Sequence, residues 1–158
     1  MEDKLPGINK KILAGILSGT GVFLTIILLN FIIPGFGTIG IPNVTQSIAS
    51  EVYRFSVIVI QAPIIETVFF FGIILFLLHE KFKVAFPIAA ILTAITFSLF
   101  HINAYGNFSS SNADFILAGV MGLVFAYQTK FSKSIIPAMF THILLNLWIG
   151  FVALAVVL

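Results

Sequence analysis

Four residues in this chain could carry chemistry together: Glu66, His101, His142 and Asn146. Each stands among apolar neighbours. Glu66 interrupts the run from Val57 to Leu78, His101 ends Phe97-Ser-Leu-Phe-His101, and His142 and Asn146 are four residues apart in His142-Ile-Leu-Leu-Asn146. That last spacing puts both on one helix face. A charge at the centre of an apolar span costs about 2.5–3.5 kcal/mol on insertion scales, so it usually has a partner or a task. A histidine or asparagine alone in such a helix can simply bridge to a neighbouring helix by a hydrogen bond. Glu66 alone could be a protonated core residue or part of a proton path. As a group, they lower one another's cost only by meeting.

A meeting of these four allows two chemistries. A carboxylate and an imidazole can share a water and draw off its proton. A second imidazole and a carboxamide can donate hydrogen bonds to the oxyanion that forms on an attacked carbonyl. That set hydrolyses an amide. Equally, two histidines and a glutamate can hold zinc with one position open to water. No HExxH, GxSxG or cysteine nucleophile is present.

Apolar helices must position these groups. The 158 residues are 59% hydrophobic and 9% charged, against about 25% charged in a soluble domain. Several apolar runs exceed the roughly 18–20 residues that cross a bilayer. The expected fold is all-α, a polytopic transmembrane bundle of five spans. An N-terminal helix and external loop occupy residues 1–50, and a four-helix membrane core occupies residues 51–158.

The first span covers residues 12–33. Its Gly15-x-x-x-Gly19 would let another helix approach closely, or is ordinary glycine tolerance in a membrane helix. The first run lacks a convincing small-residue cleavage site and reads as a retained span. The second span, 51–78, carries Pro63, which should kink it or free backbone groups near Glu66. The third starts at Phe86-Pro87, with proline in the tolerated first turn. The fourth covers 113–129, with Asp114 in its first turn, where it suits the helix dipole. The fifth runs from 134 or 135 to the end. His79 falls in a charged turn, His79-Glu-Lys-Phe-Lys83, and is expected to be exposed.

With five spans, Lys4, Lys10, Lys11, Lys81, Lys83, Lys130 and Lys133 all lie on one side. Segments 34–50 and 102–112 carry no Lys or Arg, and Arg54 alone lies toward that side. The positive-inside rule then places the N-terminus in the cytoplasm. The net charge of +2 is a topology signal and not a nucleic-acid patch. The sequons at Asn43 and Asn107 fall outside. With no cysteine there is neither disulfide nor thiolate chemistry.

The order Glu66…Phe97-x-x-x-His101…His142-x-x-x-Asn146, one motif per helix, resembles the CAAX protease and bacteriocin-processing family of intramembrane endopeptidases. Pro63-Ile-Ile-Glu-Thr-Val-Phe-Phe-Phe-Gly72 is similar to that family's first motif, Glu-Glu-x-x-x-Arg followed by Gly. Ser134-Ile-Ile-Pro-Ala-Met-Phe-Thr-His142 resembles the approach to its third. The likeness covers residues 50 to 150. It implies that Glu66 and His101 activate water and that His142 and Asn146 stabilise the oxyanion. It further implies membrane-associated peptide or protein substrates, such as prenylated C-termini or leader-bearing peptides, with membrane lipid as the surroundings and no nucleic acid. The family is also described as metal-dependent, so the resemblance leaves open either no cofactor or zinc on Glu66, His101 and His142. A prokaryotic cytoplasmic membrane is the expected location.

The chain departs from the pattern twice. Thr67 stands for the second glutamate and Phe71 for the arginine. The usual pair reads as an ion pair. Losing both leaves no orphan charge, whereas losing one from a buried pair costs about 3–5 kcal/mol. The departure therefore bears on activity, not on fold. It also keeps one alternative, an immunity or binding protein of the family fold with little protease activity; an intramembrane glutamate with two histidines keeps another, a small proton-linked transport component.

Depth sets a geometric condition. At about 1.5 Å per residue, His142 lies roughly 12 Å, Glu66 roughly 18 Å and His101 roughly 21 Å from the inner ends of their helices. Tilt, uneven helix ends, or kinks at Pro63 or Pro137 must close that gap.

Overall fold

The structure, a computed structural model, describes residues 7–32, 52–53, 55–104 and 112–157. Among these the chain is helical, with no strand. Five helices follow in order: α1 (Ile8–Ile32), α2 (Val57–Lys81), α3 (Phe86–Ala104), α4 (Asn112–Ser132) and α5 (Ile136–Val157). Val57–Lys81 and Phe115–Ser132 are long and apolar enough to cross a membrane. Arg54, both sequons, the Asp114 side chain and the connecting segments 34–51 and 105–111 lie outside the described residues.

α1 packs along α5, and α3 packs along α4. Small residues set both approaches. A Cβ at Gly15 would stand 2.8 Å from Phe140 Cβ and from the Pro137 carbonyl oxygen, and one at Gly19 would stand 3.2 Å from the Thr141 backbone. The Gly15-x-x-x-Gly19 pair is therefore a packing surface for α5, as small residues are between membrane helices. Gly122 plays the same part on α4, where a Cβ would fall 2.9 Å from Ala94 Cα on α3.

A polar knot fixes the register of α1, α4 and α5. Thr141 donates to the carbonyl of Gly15 (2.9 Å) or of its own Pro137 (2.8 Å). Its oxygen also lies 2.9 Å from the Ser18 hydroxyl, and the Gln128 amide donates to both hydroxyls. Each pairing replaces water that an apolar interior does not supply. Beside this knot a groove of about 690 Å³ opens between α1 and α4, lined by Ala14, Ser18, Tyr127, Gln128 and Phe131 among others. None of the four candidate site residues lines it.

α2 departs from a plain α-helix. Its backbone bonds widen to five residues over Val57–Gln61, Thr67–Ile74 and Leu77–Lys81, as in Ala62 N–H to the Val57 carbonyl and Leu75 N–H to the Phe70 carbonyl. The sequence explains the widening. Val59, Pro63, Thr67, Phe71 and Leu75 are all buried, at a spacing of four. At 3.6 residues per turn a four-residue stripe drifts by about 40° per step and leaves the core. Wider π turns cancel that drift and keep the stripe facing inward.

Pro63 thus acts without ending the helix. In the five-residue register its nitrogen would have donated to the Ile58 carbonyl, and it has no hydrogen to give. Asn146 of α5 supplies the donor, with Nδ2 at 3.0 Å from that oxygen. Pro137 lies in the first turn of α5, where a missing N–H costs nothing.

The expected turn at 79–83 is shorter than its charge suggested, because the last π turn carries α2 through Lys81. Lys83 then reverses the chain with φ of 57°. His79 is not the exposed residue expected. Its side chain is 23% accessible. Nδ1 donates to the Val84 carbonyl at 3.0 Å, and Nε2 accepts from Lys130 Nζ at 2.6 Å. This bond ties the α2–α3 turn to the end of α4.

Candidate active site

Glu66, Thr67, His101 and His142 come together from three helices. Glu66 and Thr67 sit where the short α-helical stretch Ala62–Glu66 passes into the second π segment, and both are buried. Changes of helical register of this kind recur at functional sites. Glu66 Oε2 lies 3.6 Å from His101 Nε2 and 3.7 Å from His142 Nε2. One ligand-type atom from each of the three lies within 4.8 Å of the others.

Each imidazole is also held from behind. His101 Nδ1 lies 2.9 Å from the Phe97 carbonyl one turn earlier. A carbonyl only accepts, so Nδ1 carries the hydrogen, and the neutral ring turns its Nε2 lone pair toward Glu66. His142 Nδ1 lies 3.3 Å from the Thr67 hydroxyl. Adjacent residues of α2 therefore address the two nitrogens of one ring on α5. Aromatic rings fill the remaining space. Phe125 stacks on His142 at 5.0 Å, and Phe97 lies 4.4 Å from the His101 ring. Phe71 is buried against Phe97 and Phe125, at 5.4 Å from each.

The three expected groups thus meet, and the unequal distances from the helix ends did not prevent it. The fourth, Asn146, lies one turn beyond His142 on α5. Its described bond goes to the Ile58 carbonyl rather than to the cluster. A carboxamide nitrogen carries two hydrogens, so a second donation remains available. Phe97 and Phe125 were not singled out as partners from the sequence. Thr67 stood out only as a departure from a motif, yet it makes the contact that the second glutamate's position brings to His142.

The donor set fits a metal ion as well. The two Glu66–imidazole separations approach the edge of about 3.4 Å expected for ligands tetrahedrally placed at about 2.1 Å from zinc. Glu66, His101 and His142 would hold it.

The profile of the Rce1-like family, type II CAAX prenyl endopeptidases, matches residues 48–148. The chain belongs to this family. No curated protein and no solved structure matches it significantly. The Rce1-like match begins just ahead of α2 and ends within α5, so it spans Glu66, His101, His142 and Asn146. It leaves out the whole of α1, the helix that packs on α5 through Gly15 and Gly19.

Proposed function

We propose that this Rce1-like chain is an intramembrane endopeptidase that hydrolyses peptide bonds of membrane-associated substrates, prenylated or leader-bearing. It would lie in the membrane with five spans and a cytoplasmic N-terminus, in a prokaryotic cytoplasmic membrane. The observation that carries the reading is the convergence of one carboxylate oxygen with two imidazole Nε2 atoms, from three helices, in an apolar interior.

A water about 2.8 Å from both Glu66 Oε2 and His101 Nε2 fits over their 3.6 Å separation. These two groups take its proton as the oxygen attacks the scissile carbonyl carbon. His142 and the free N–H of Asn146 donate to the oxyanion that results. The intermediate collapses, the C–N bond breaks, and the proton held by the Glu66–His101 pair passes to the leaving amine. Burial in a low-dielectric, ring-lined interior strengthens each of these interactions. If zinc occupies the three ligands, it supplies a Lewis acid that makes water a better nucleophile.

The transport reading drew on an intramembrane glutamate with two histidines, and the immunity-protein reading on Thr67 and Phe71. Those positions have a packing account, since Thr67 bonds His142 and Phe71 fills the aromatic cluster. Neither reading gains an observation of its own.

The test is cleavage of a panel of membrane-tethered peptides by purified protein, wild type against Glu66→Ala and His142→Ala, with and without a chelator. Cleavage by the wild type alone is expected. Equal processing by all three proteins would sink the assignment. Chelator sensitivity together with stoichiometric bound metal would select zinc over the glutamate–water route.

A further inference from the structure

We infer that the groove between α1 and α4 holds one anionic phospholipid, with an acyl chain along its apolar wall and the phosphate among Lys10, Lys11 and Lys133. None of Glu66, His101, His142 and Asn146 lines this groove. The inference therefore rests on the membrane setting of the proposed function and not on its peptidase chemistry.

The groove exists because α1 and α4 both lean on α5 without packing along each other. Their described link is the bond from the Gln128 amide to the Ser18 hydroxyl. The gap left between them, about 690 Å³, falls within the roughly 300–1,000 Å³ of ligand pockets. Ala14, Val120, Leu123, Val124, Phe131 and Pro137 give it an apolar wall. Three polar residues of that wall are bonded within the protein. The Ser18 hydroxyl donates to the Ala14 carbonyl at 2.6 Å, and the Ser132 hydroxyl to the Gln128 or Ser134 carbonyl at 2.7 Å. The Gln128 amide nitrogen is held by Ser18 and Thr141. Hydrocarbon suits such a wall better than water does. Along α4 the lining runs from Val120 to Ser132, about 18 Å at about 1.5 Å per residue. One leaflet has a hydrocarbon depth of about 15 Å, half of a core of about 30 Å. The groove is thus long enough for one acyl chain.

Charge decides the headgroup. Gly15 of α1 meets Pro137 of α5 and Gly19 meets Thr141, so these two helices run parallel and start at the same end of the bundle. α4 finishes at that end, and Lys133 turns the chain there with φ of 50°. Lys10 and Lys11 stand one turn before Ala14, on the face that lines the groove, and Lys133 follows Ser132 on the opposite wall. Lys10 and Lys133 are exposed, and Lys11 is half-buried. Among the described residues no carboxylate pairs with them, since Glu66 and Glu80 are both on α2 against histidines. Lys130 is already engaged with His79 and the Phe86 ring. Three ammonium groups at the mouth of an apolar groove fit a molecule that is anionic at one end and hydrocarbon beyond it. In a membrane that molecule is an anionic phospholipid. The Rce1-like profile does not include α1, so the site belongs to a helix outside the family match.

Native mass spectrometry of the full chain, extracted in detergent and stripped of lipid, tests this with phosphatidylglycerol and phosphatidylcholine of the same acyl chains. One retained phosphatidylglycerol is expected, bound about 10- to 100-fold more tightly than phosphatidylcholine, at about fivefold for each lysine engaged. Lys10→Gln, Lys11→Gln and Lys133→Gln together should bring the two lipids level. Lys81→Gln with Lys83→Gln, exposed positions of the α2–α3 turn that do not line the groove, should keep the preference. Ala14→Phe fills the groove from an exposed position and should weaken both lipids. If that variant does not fold, Val120→Trp, exposed at the far end of the groove, gives the same readout. Equal binding of the two lipids by the wild type overturns the inference, as does a preference that survives the triple lysine change. A preference lost equally in the Lys81 and Lys83 variant would assign it to net charge and overturn it too. A dimer that persists in excess lipid would place a second copy in the groove, with the same consequence. Cleavage is not read, so failure of the endopeptidase reading would leave each of these outcomes intact.

Discussion

Asn146 donates to the Ile58 carbonyl at 3.0 Å, and that carbonyl is the one Pro63 leaves without its backbone partner. The helix that carries Glu66 is thereby bonded to the helix that carries His142. A proline in α2 and an asparagine in α5 form one device, and each explains the other. Replacing Asn146 with Ala should destabilise the protein by about 1–3 kcal/mol, the cost of an unsatisfied backbone acceptor. In a Pro63→Ala background, where residue 63 regains its N–H, the same change should cost less. A double-mutant cycle read by unfolding in detergent measures the coupling. A zero coupling energy would separate the two residues.

A carboxylate buried for function costs stability. Glu66→Gln keeps the shape and removes the charge. The variant should unfold at the same temperature as wild type or higher, while cleavage falls by about 100- to 10,000-fold, the range for loss of a general base. Thermal unfolding and turnover of a tethered peptide, measured on one preparation, check both halves. Lost stability together with lost cleavage would mean that the charge holds the fold.

Much of this arrangement is legible in the residues, and the reasons differ from place to place. Glu66, His101 and His142 stand out because a polar group in an apolar run is costly and must be matched. Their meeting follows from that cost even though their distances from helix ends disagree. Those distances assumed level ends and a uniform α-helical rise, and α2 has neither the turn nor the rise of a plain helix. The four-residue stripe from Val59 to Leu75 was present in the sequence as a sign of those wide turns. The Phe97 and Phe125 contacts were not legible, since eighteen phenylalanines offer no way to choose among them without the packing. Asn146 looked like a site residue by its spacing from His142, but spacing says nothing about a carbonyl left open on another helix. His79 looked exposed because its neighbours are charged, and the Lys130 contact that half-buries it lies 51 residues away.

The pair at 67 and 71 should behave as a unit. Thr67→Glu alone adds a carboxylate beside Glu66 in a buried place, which should cost about 3–5 kcal/mol. Phe71→Arg alone puts a cation among Phe97 and Phe125 and should cost as much. The double variant restores the family's paired charges one helical turn apart, and its loss should be smaller than the sum by about 1–3 kcal/mol. Unfolding of the four proteins closes the cycle. Strict additivity would mean that the two positions do not form a pair in this chain.

The α1–α5 contact gives a prediction with an internal control. A methyl group at Gly15 would meet Phe140 Cβ and the Pro137 carbonyl at 2.8 Å, and the carbonyl belongs to backbone that cannot swing aside. Gly15→Ala should therefore destabilise by about 1–3 kcal/mol, the usual cost of overpacking, even though alanine is the better helix former. Gly21 lies on the same helix with nothing within 4 Å of its would-be Cβ. Gly21→Ala should be neutral or stabilising by about 0.5–1 kcal/mol through helix propensity alone. Opposite signs for two identical substitutions six residues apart would tie the effect to α5. A loss of equal size at both would place it in the helix itself, and α1 would then have no specific seat.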